Sequence, residues 1–345
     1  MSEHPADETL PHRLERILLG GTRRYTRLEV AEQAGVSQDR TRQLWRALGF
    51  ASVGDDEVVF TEADIEAVRI TDRLVDTGLL DRDLETSVAR AVGLHMSRLA
   101  EWQSQLLWSL IADNPDLAED EQRIGELVER LLPELERVHD FVWRRHLAAY
   151  AGRALAEPEE TLEAASEVVG FVDMVGYTRM ARRVDEAELS GLLERFEELA
   201  TGYVAEHHGR VVKMIGDEVL FVCPSAVRAA EIALSLSEHA AADERVPEVR
   251  AGLAAGRVLS RFGDVYGSVV NLASRLTSLA RPGTVLVDAA LADVLAEHGD
   301  YDLRRLRPVP VRGYQRLRPA TLRRAGTREV TAHDDVPGGR SPSAP

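Results

Sequence analysis

Arg210-Val211-Val212-Lys213-Met214-Ile215-Gly216-Asp217-Glu218-Val219-Leu220-Phe221-Val222-Cys223 reads as two short strands closed by a tight turn. Branched and aromatic residues carry both arms, and Gly216-Asp217 is the hairpin signal between them. Upstream, Val168 to Val172 is a further strand candidate, ended by the acid in Phe171-Val172-Asp173-Met174-Val175-Gly176-Tyr177-Thr178. Between these strands, Asp185 to His208 places Leu189, Leu192, Leu193, Phe196 and Leu199 at helical spacing. Gly209 is read as the C′ residue that stops this helix. Downstream, Ala226 to Ala241 is helical, and Glu248 to Ser260 is a strand with an interior glycine, Gly256. Ser268 to Ala280 is a helix stopped by Pro282-Gly283. Thr284 to Val287 is a strand and Ala289 to Glu297 a helix. Leu306 to Val311 and Ala320 to Arg324 close the series.

The order is βαββαβ with additions, which predicts an α+β, ferredoxin-like domain with helices on one sheet face. It is expected to span residues 167–325. Residues 13–150 read as almost entirely helical, with a break near Val53 to Phe60. All four tryptophans, Trp45, Trp102, Trp108 and Trp143, fall in this half and suggest an aromatic core of its own. Residues 151–166 are Ala/Glu-rich and read as a helical linker. Residues 1–12 and 326–345 read as a disordered lead and tail.

Composition narrows the classes. The 345 residues carry a formal net charge of -16, which opposes nucleic-acid backbone and anionic membrane unless a local basic face intervenes. No stretch approaches the roughly 18 apolar residues that span a bilayer. Met1 to Leu10 is acidic and polar, so no signal peptide is read and the cytoplasm is the expected compartment. The single cysteine, Cys223, excludes an intrachain disulfide and reads as a buried thiol. Among 42 basic residues there is one lysine, Lys213. In a chain that otherwise uses arginine, it marks a place where a forked guanidinium does not serve.

Three stretches carry candidate chemistry. Asp173 ends one strand and Asp217 tips the hairpin, and neighbouring strands bring both to one rim. Two converging carboxylates attract hard divalent cations, while each alone is also an ordinary turn residue. The third stretch, Gly263-Asp264-Val265-Tyr266-Gly267, runs into Asn271-Leu272-Ala273-Ser274-Arg275. Asn271 and Arg275 are four apart on a helix and share a face, as an amide and guanidinium reading a ribose or phosphate would, or as a plain solvated face would.

Taken together these stretches resemble the class III adenylyl cyclases over about 160 residues. The spacing from Asp264 to Asn271 to Arg275, and from Lys213 to Asp217, is similar to the family pattern without a gap. The resemblance implies roles. Asp173 and Asp217 would hold two metal ions per site, Mg2+ or Mn2+. Lys213 and Asp264 would read adenine, the lysine donating to ring N1 and the aspartate accepting from the 6-amino group, which favours ATP over GTP. Asn271 would orient the ribose, and Arg275 would stabilise charge on the α-phosphate. Arg312 lies near where the family places a triphosphate-binding lysine. The family builds its site between two such domains, so a head-to-tail homodimer is expected. One chain would supply Asp173 and Asp217, the other Lys213, Asp264, Asn271 and Arg275.

The amino-terminal stretch Thr26-Arg27-Leu28-Glu29-Val30-Ala31-Glu32-Gln33-Ala34-Gly35-Val36-Ser37 resembles the helix-turn-helix of MerR-type regulators. The whole arrangement is similar to the soluble pH-sensing adenylyl cyclases of mycobacteria. That implies an all-α regulatory domain that restrains the cyclase, reading a proton, a lipid or a protein partner. His95, His139 and His146 are titratable candidates there. The alternatives are a DNA-binding or other regulatory protein using the helix-turn-helix, and a guanylate cyclase. Neither nucleic acid nor membrane is the expected partner.

Overall fold

The computed structural model describes residues 9–156, 166–243, 245–311 and 314–326. The chain divides into two compact units between Ala156 and Glu157.

The first unit is helical: α1 (Leu10–Leu18), α2 (Arg27–Ala34), α3 (Gln38–Ala47), α4 (Glu62–Asp76), α5 (Arg82–Ala112), α6 (Pro115–Ala118) and α7 (Glu121–Ala156). Helix α1 starts inside the expected disordered lead. Pro11 sits in its first turn, where a fixed φ favours helix entry. Arg13 then bonds Gln122 (2.7 Å) and Glu129 (3.1 Å) on α7. Residues 1–8 lie outside the described residues.

The helix-turn-helix forms as its local signals dictate. Thr26 and Glu29 make a capping box, Gly35 takes the left-handed conformation after α2, and Ser37 caps α3. A bridge between Tyr25 and Phe60 closes it. Val30, Phe60 and Ile65 form the core, with Trp45 against the Phe50 and Phe60 rings at 4.3 and 4.6 Å. Its arginines face acids of the same unit. Buried Arg27 pairs with Asp55, and Arg40 pairs with Asp72 and with buried Glu85. A Cβ at Gly93 would meet the Leu48 carbonyl oxygen at 2.2 Å, so α5 can press on the end of α3 only with glycine there.

The expected aromatic core does not extend beyond Trp45. Trp102, Trp108 and Trp143 are 58%, 50% and 58% exposed. They lie on α5 and α7, 31 and 36 residues long, which carry more apolar surface than the shorter helices of the unit can cover.

Helix α7 takes up the first part of the expected linker, to Ala156, and residues 157–165 lie outside the described residues. The second unit follows: β1 (Ser166–Met174), α8 (Tyr177–Met180), α9 (Glu186–Glu206), β2 (Arg210–Ile215), β3 (Glu218–Cys223), α10 (Ala226–Ala242), β4 (Val249–Arg257), β5 (Leu259–Arg261), β6 (Asp264–Tyr266), α11 (Ser268–Leu279), β7 (Val285–Val287), α12 (Ala289–Ala296), β8 (Tyr301–Arg305), β9 (Val309–Val311), β10 (Tyr314–Leu317) and β11 (Ala320–Arg324). The main sheet runs β2-β3-β1-β4-β7-β11-β8. Strand β1 pairs antiparallel with β3 and β4, and β4 pairs parallel with β7. The first four strands of this sheet have the ferredoxin-like order.

Helices cover both sheet faces, not one. Val168, Val172 and Met174 pack with α9, α10 and α12, whereas Val169 and Phe171 pack with α11. That explains the unbroken apolar run of β1: a strand buried on both sides has no polar face to alternate with. Helix α11 lies so close to β4 that a Cβ at Gly252 would meet the Thr277 nitrogen at 2.3 Å and the Ala273 oxygen at 2.5 Å.

Other boundaries also move. The expected strand from Glu248 to Ser260 breaks at Val258, where the chain leaves the sheet for the β5–β6 hairpin. Of Leu306 to Val311 only Val309–Val311 is strand, and Tyr301–Arg305 pairs with β11 instead. His208, not Gly209, takes the left-handed position after α9 (φ 57°), and a Cβ at Gly209 would meet Ile232 at 3.0 Å and Val204 at 3.1 Å. Cys223 is buried, and burial pushes its thiol up. Residues 327–345, most of the expected tail, lie outside the described residues.

Candidate active site

The β2–β3 turn is two residues long, between the facing pair Ile215 and Glu218. Gly216 sits there at φ 62°, a conformation glycine takes freely, and Asp217 follows at the rim. On β1, Asp173 lies opposite Glu218 of β3 and opposite Arg250 of β4. Directly facing residues share a sheet face, so Glu218, Asp173 and Arg250 form a row on the α11 side. The Met174 N–H donates to the Asp217 carbonyl at 3.0 Å, which ties the turn to the end of β1.

The structure therefore brings Asp173 and Asp217 together. Burial, and then the neighbouring Asp173 carboxylate, hold the Asp217 carboxyl above its ordinary value. Glu218 is pushed up to about 7, first by burial and then by Asp173 and Asp217. Arg250 offsets this charge: its Nε donates to Asp173 Oδ2 at 2.7 Å and a terminal nitrogen lies 2.6 Å from the same oxygen. The opposite end of its guanidinium reaches the Ser278 carbonyl on α11 at 3.5 Å. Spacing in the sequence singles out neither Glu218 nor Arg250. Only strand register puts them on either side of Asp173.

This donor set suits a hard divalent cation. The Asp173 and Asp217 carboxylates offer only oxygens, and a cation would relieve the repulsion between them. Mg2+ typically takes one or two carboxylates and completes its shell with phosphate and water.

A second cluster forms along β2 and β6. Lys213 Nζ donates to Asp264 Oδ2 at 2.6 Å, and the Val265 N–H donates to Asp264 Oδ1 at 2.8 Å. Burial alone would raise the Asp264 carboxyl, but the Lys213 and Val265 bonds outweigh it and hold it below the usual range. Lys213 thus pairs with the hairpin rather than with the acids at the β1 rim.

Helix α11 buries Val269, Ala273, Leu276 and Thr277 and leaves Asn271 and Arg275 exposed, one turn apart. Each is free of the carboxylate rim: no hydrogen bond among those described joins either to Asp173 or Asp217. Arg312 lies outside the described residues.

Comparison with known proteins bears on both units. Residues 162–323 match the family described as the adenylate and guanylate cyclase catalytic domain. Residues 6–148 match the adenylate cyclase regulatory domain. An adenylate cyclase of Streptomyces coelicolor is 45% identical over 87% of this chain and 79% of its own length. A pH-sensitive adenylate cyclase of Mycobacterium tuberculosis is 35% identical over 91% of this chain and 82% of its own length. Among solved structures, an adenylyl cyclase of P. aeruginosa aligns with 46% of this chain and 94% of its own, at 20% identity and a TM-score of 0.42. No helix among the described residues is long and apolar enough to cross a membrane.

Proposed function

The chain belongs to the adenylate cyclases, and from that premise we propose that it closes ATP to 3',5'-cyclic AMP and pyrophosphate at two equivalent sites shared by a head-to-tail homodimer. The observation that carries this reading is how the charged groups of one chain are engaged. Lys213 is bonded to Asp264 at 2.6 Å, whereas the Asp173 carboxylate, beside Asp217, is paired with Arg250 at 2.6 Å. No hydrogen bond among the described residues joins the two sets, and a second copy would bring them together across an interface.

In the shared site, Lys213 donates to adenine N1 and Asp264 accepts from the 6-amino group. Guanine presents the reverse pattern, which sets the preference for ATP. Asn271 orients the ribose. Arg275 stabilises the charge that grows on the α-phosphate as the 3'-hydroxyl attacks in line. Asp173 and Asp217 would hold two Mg2+ or Mn2+ ions, which when bound favour ionisation of that hydroxyl and offset charge on the departing pyrophosphate. Arg250, released from Asp173, is placed to take phosphate oxygens in its fork. Arg312 is a further candidate for the triphosphate.

Residues 13–150 act as the regulatory domain and 167–325 as the catalytic domain of a cytoplasmic enzyme. The match to an adenylate cyclase regulatory domain supports restraint of the cyclase by the first unit. The name of the mycobacterial relative makes a proton the first signal to test. His139, bonded to Gln103 at 2.7 Å, His95 and His146 are the groups to follow. An activity–pH profile unchanged by removal of residues 1–160 would remove that idea.

The reading is tested by turnover of ATP and GTP with Mg2+ or Mn2+. ATP should be the preferred substrate, and Asp173→Ala should lower turnover by about 1,000-fold or more. Equal turnover of GTP would shift the assignment to a guanylate cyclase. Full activity in the Asp173→Ala enzyme would remove Asp173 from the metal site.

A further inference from the structure

Strand β2 carries one residue more than β3 across from it. Arg210 faces Val222 and Val211 faces Phe221, but the next facing pair is Lys213 with Leu220, so Val212 is extra. In an unbroken strand, residues three apart point to opposite faces. The bulge reverses this, and Arg210 and Lys213 both lie opposite residues of the α11-side core, Val222 and Leu220.

The two cations reach consecutive residues of one hairpin. Arg210 donates to the Gly263 carbonyl at 3.4 Å, and Lys213 donates to the Asp264 carboxylate. That hairpin, β5–β6, is a two-stranded sheet outside the main sheet, with only three residues in each strand. Such a ribbon is marginal without outside support. Its turn is Phe262-Gly263, with φ of 50° and 83°, and a phenylalanine seldom takes a positive φ. The Arg261 guanidinium lies 5.1 Å from the Phe262 ring centroid. Asp264 is the first residue after this turn, so its height above the sheet follows the turn.

We propose that Arg210 is a positioning residue for base selection, fixing the hairpin backbone so that Asp264 stays level with Lys213 as the base enters. This rests on the reading that Lys213 and Asp264 face the adenine ring. Without nucleotide, the Lys213–Asp264 bond itself anchors the hairpin. Once the base takes up those two groups, that anchor weakens, and the Arg210 bond to main chain, which the base does not contact, remains. Arg210 thus acts when substrate is bound, and on the base rather than on the phosphates.

The test compares kcat and KM for ATP and GTP in the full chain, in Arg210→Gln, Arg210→Lys and Asp264→Asn. Arg210→Gln should raise KM for ATP about fivefold, keep kcat within about twofold, and cut the ATP-over-GTP preference in kcat/KM about tenfold. Arg210→Lys, which keeps a donor, should recover most of the loss. Unchanged KM and preference in Arg210→Gln, with the preference lost in Asp264→Asn, would overturn the role of Arg210 alone. A preference intact in Asp264→Asn would overturn the base reading beneath it. A fall in kcat alone, or a lowered melting temperature in Arg210→Gln, would assign Arg210 to another task and also overturn the proposal.

Discussion

In the catalytic unit, β1 sends Val168 and Val172 into one buried face and Val169 and Phe171 into the other, and α11 closes over the second. In the helical unit, α5 and α7 carry Trp102, Trp108, Phe141 and Trp143 into solvent. Close packing in the first case fixes strand register, and register is what sets Asp173 between Glu218 and Arg250. In the second case the segment around Trp45, Phe60 and Ile65 is packed in that way, and α5 and α7 add Ile111, Ile124 and Val128 to the buried residues. Positional accuracy is thus concentrated where charges must meet. The long helices keep apolar surface that the described residues of the helical unit do not cover.

Four substitutions sharpen this contrast. The largest effect is expected at Gly252, where a side chain would enter α11. Gly252→Leu should cost about 3 kcal/mol in denaturant unfolding of the catalytic unit. A change below about 0.5 kcal/mol would mean that α11 can lift from β4, and the rigid-scaffold side of the contrast would fail. Next comes Glu85, which accepts from Arg40 at 2.6 Å while nearly buried. Glu85→Ala leaves a guanidinium short of its partner and should cost the helical unit about 2 kcal/mol. An unaffected midpoint would show that Asp72 alone satisfies Arg40. The smallest effect is expected at the exposed tryptophans. Trp102→Gln and Trp143→Gln should each stay within about 0.5 kcal/mol. A loss of several kcal/mol, dependent on protein concentration, would mean that another chain covers that face.

Much of the catalytic unit is legible in the sequence, because its signals are local. The Gly216-Asp217 turn, the apolar run ending in Asp173, and the helical period before Gly209 each predict their element. The spacing of Asn271 and Arg275 likewise predicts a shared helix face. What is not legible depends on partners distant in the chain. Arg250 is an ordinary arginine until β4 pairs with β1, and Glu218 is an ordinary strand residue until Asp173 faces it. The β5–β6 hairpin hides because its strands have three residues each and its turn is Phe-Gly rather than Asn-Gly or Asp-Gly. The exposure of three tryptophans hides for a related reason: periodicity reports that a helix has an apolar side, not that anything in the same chain lies against it.

The central claim is that one catalytic site draws Asp173 and Asp217 from one chain and Lys213, Asp264, Asn271 and Arg275 from another. Mixing an Asp217→Ala chain with an Asn271→Ala chain, each inactive alone, tests it most directly. A mixed dimer has one site with both defects and one site with neither. Cyclic AMP production should therefore return to about half of the wild-type rate per mixed dimer. Two inactive chains that stay inactive together, with mixed dimers verified in the sample, would contradict the shared site.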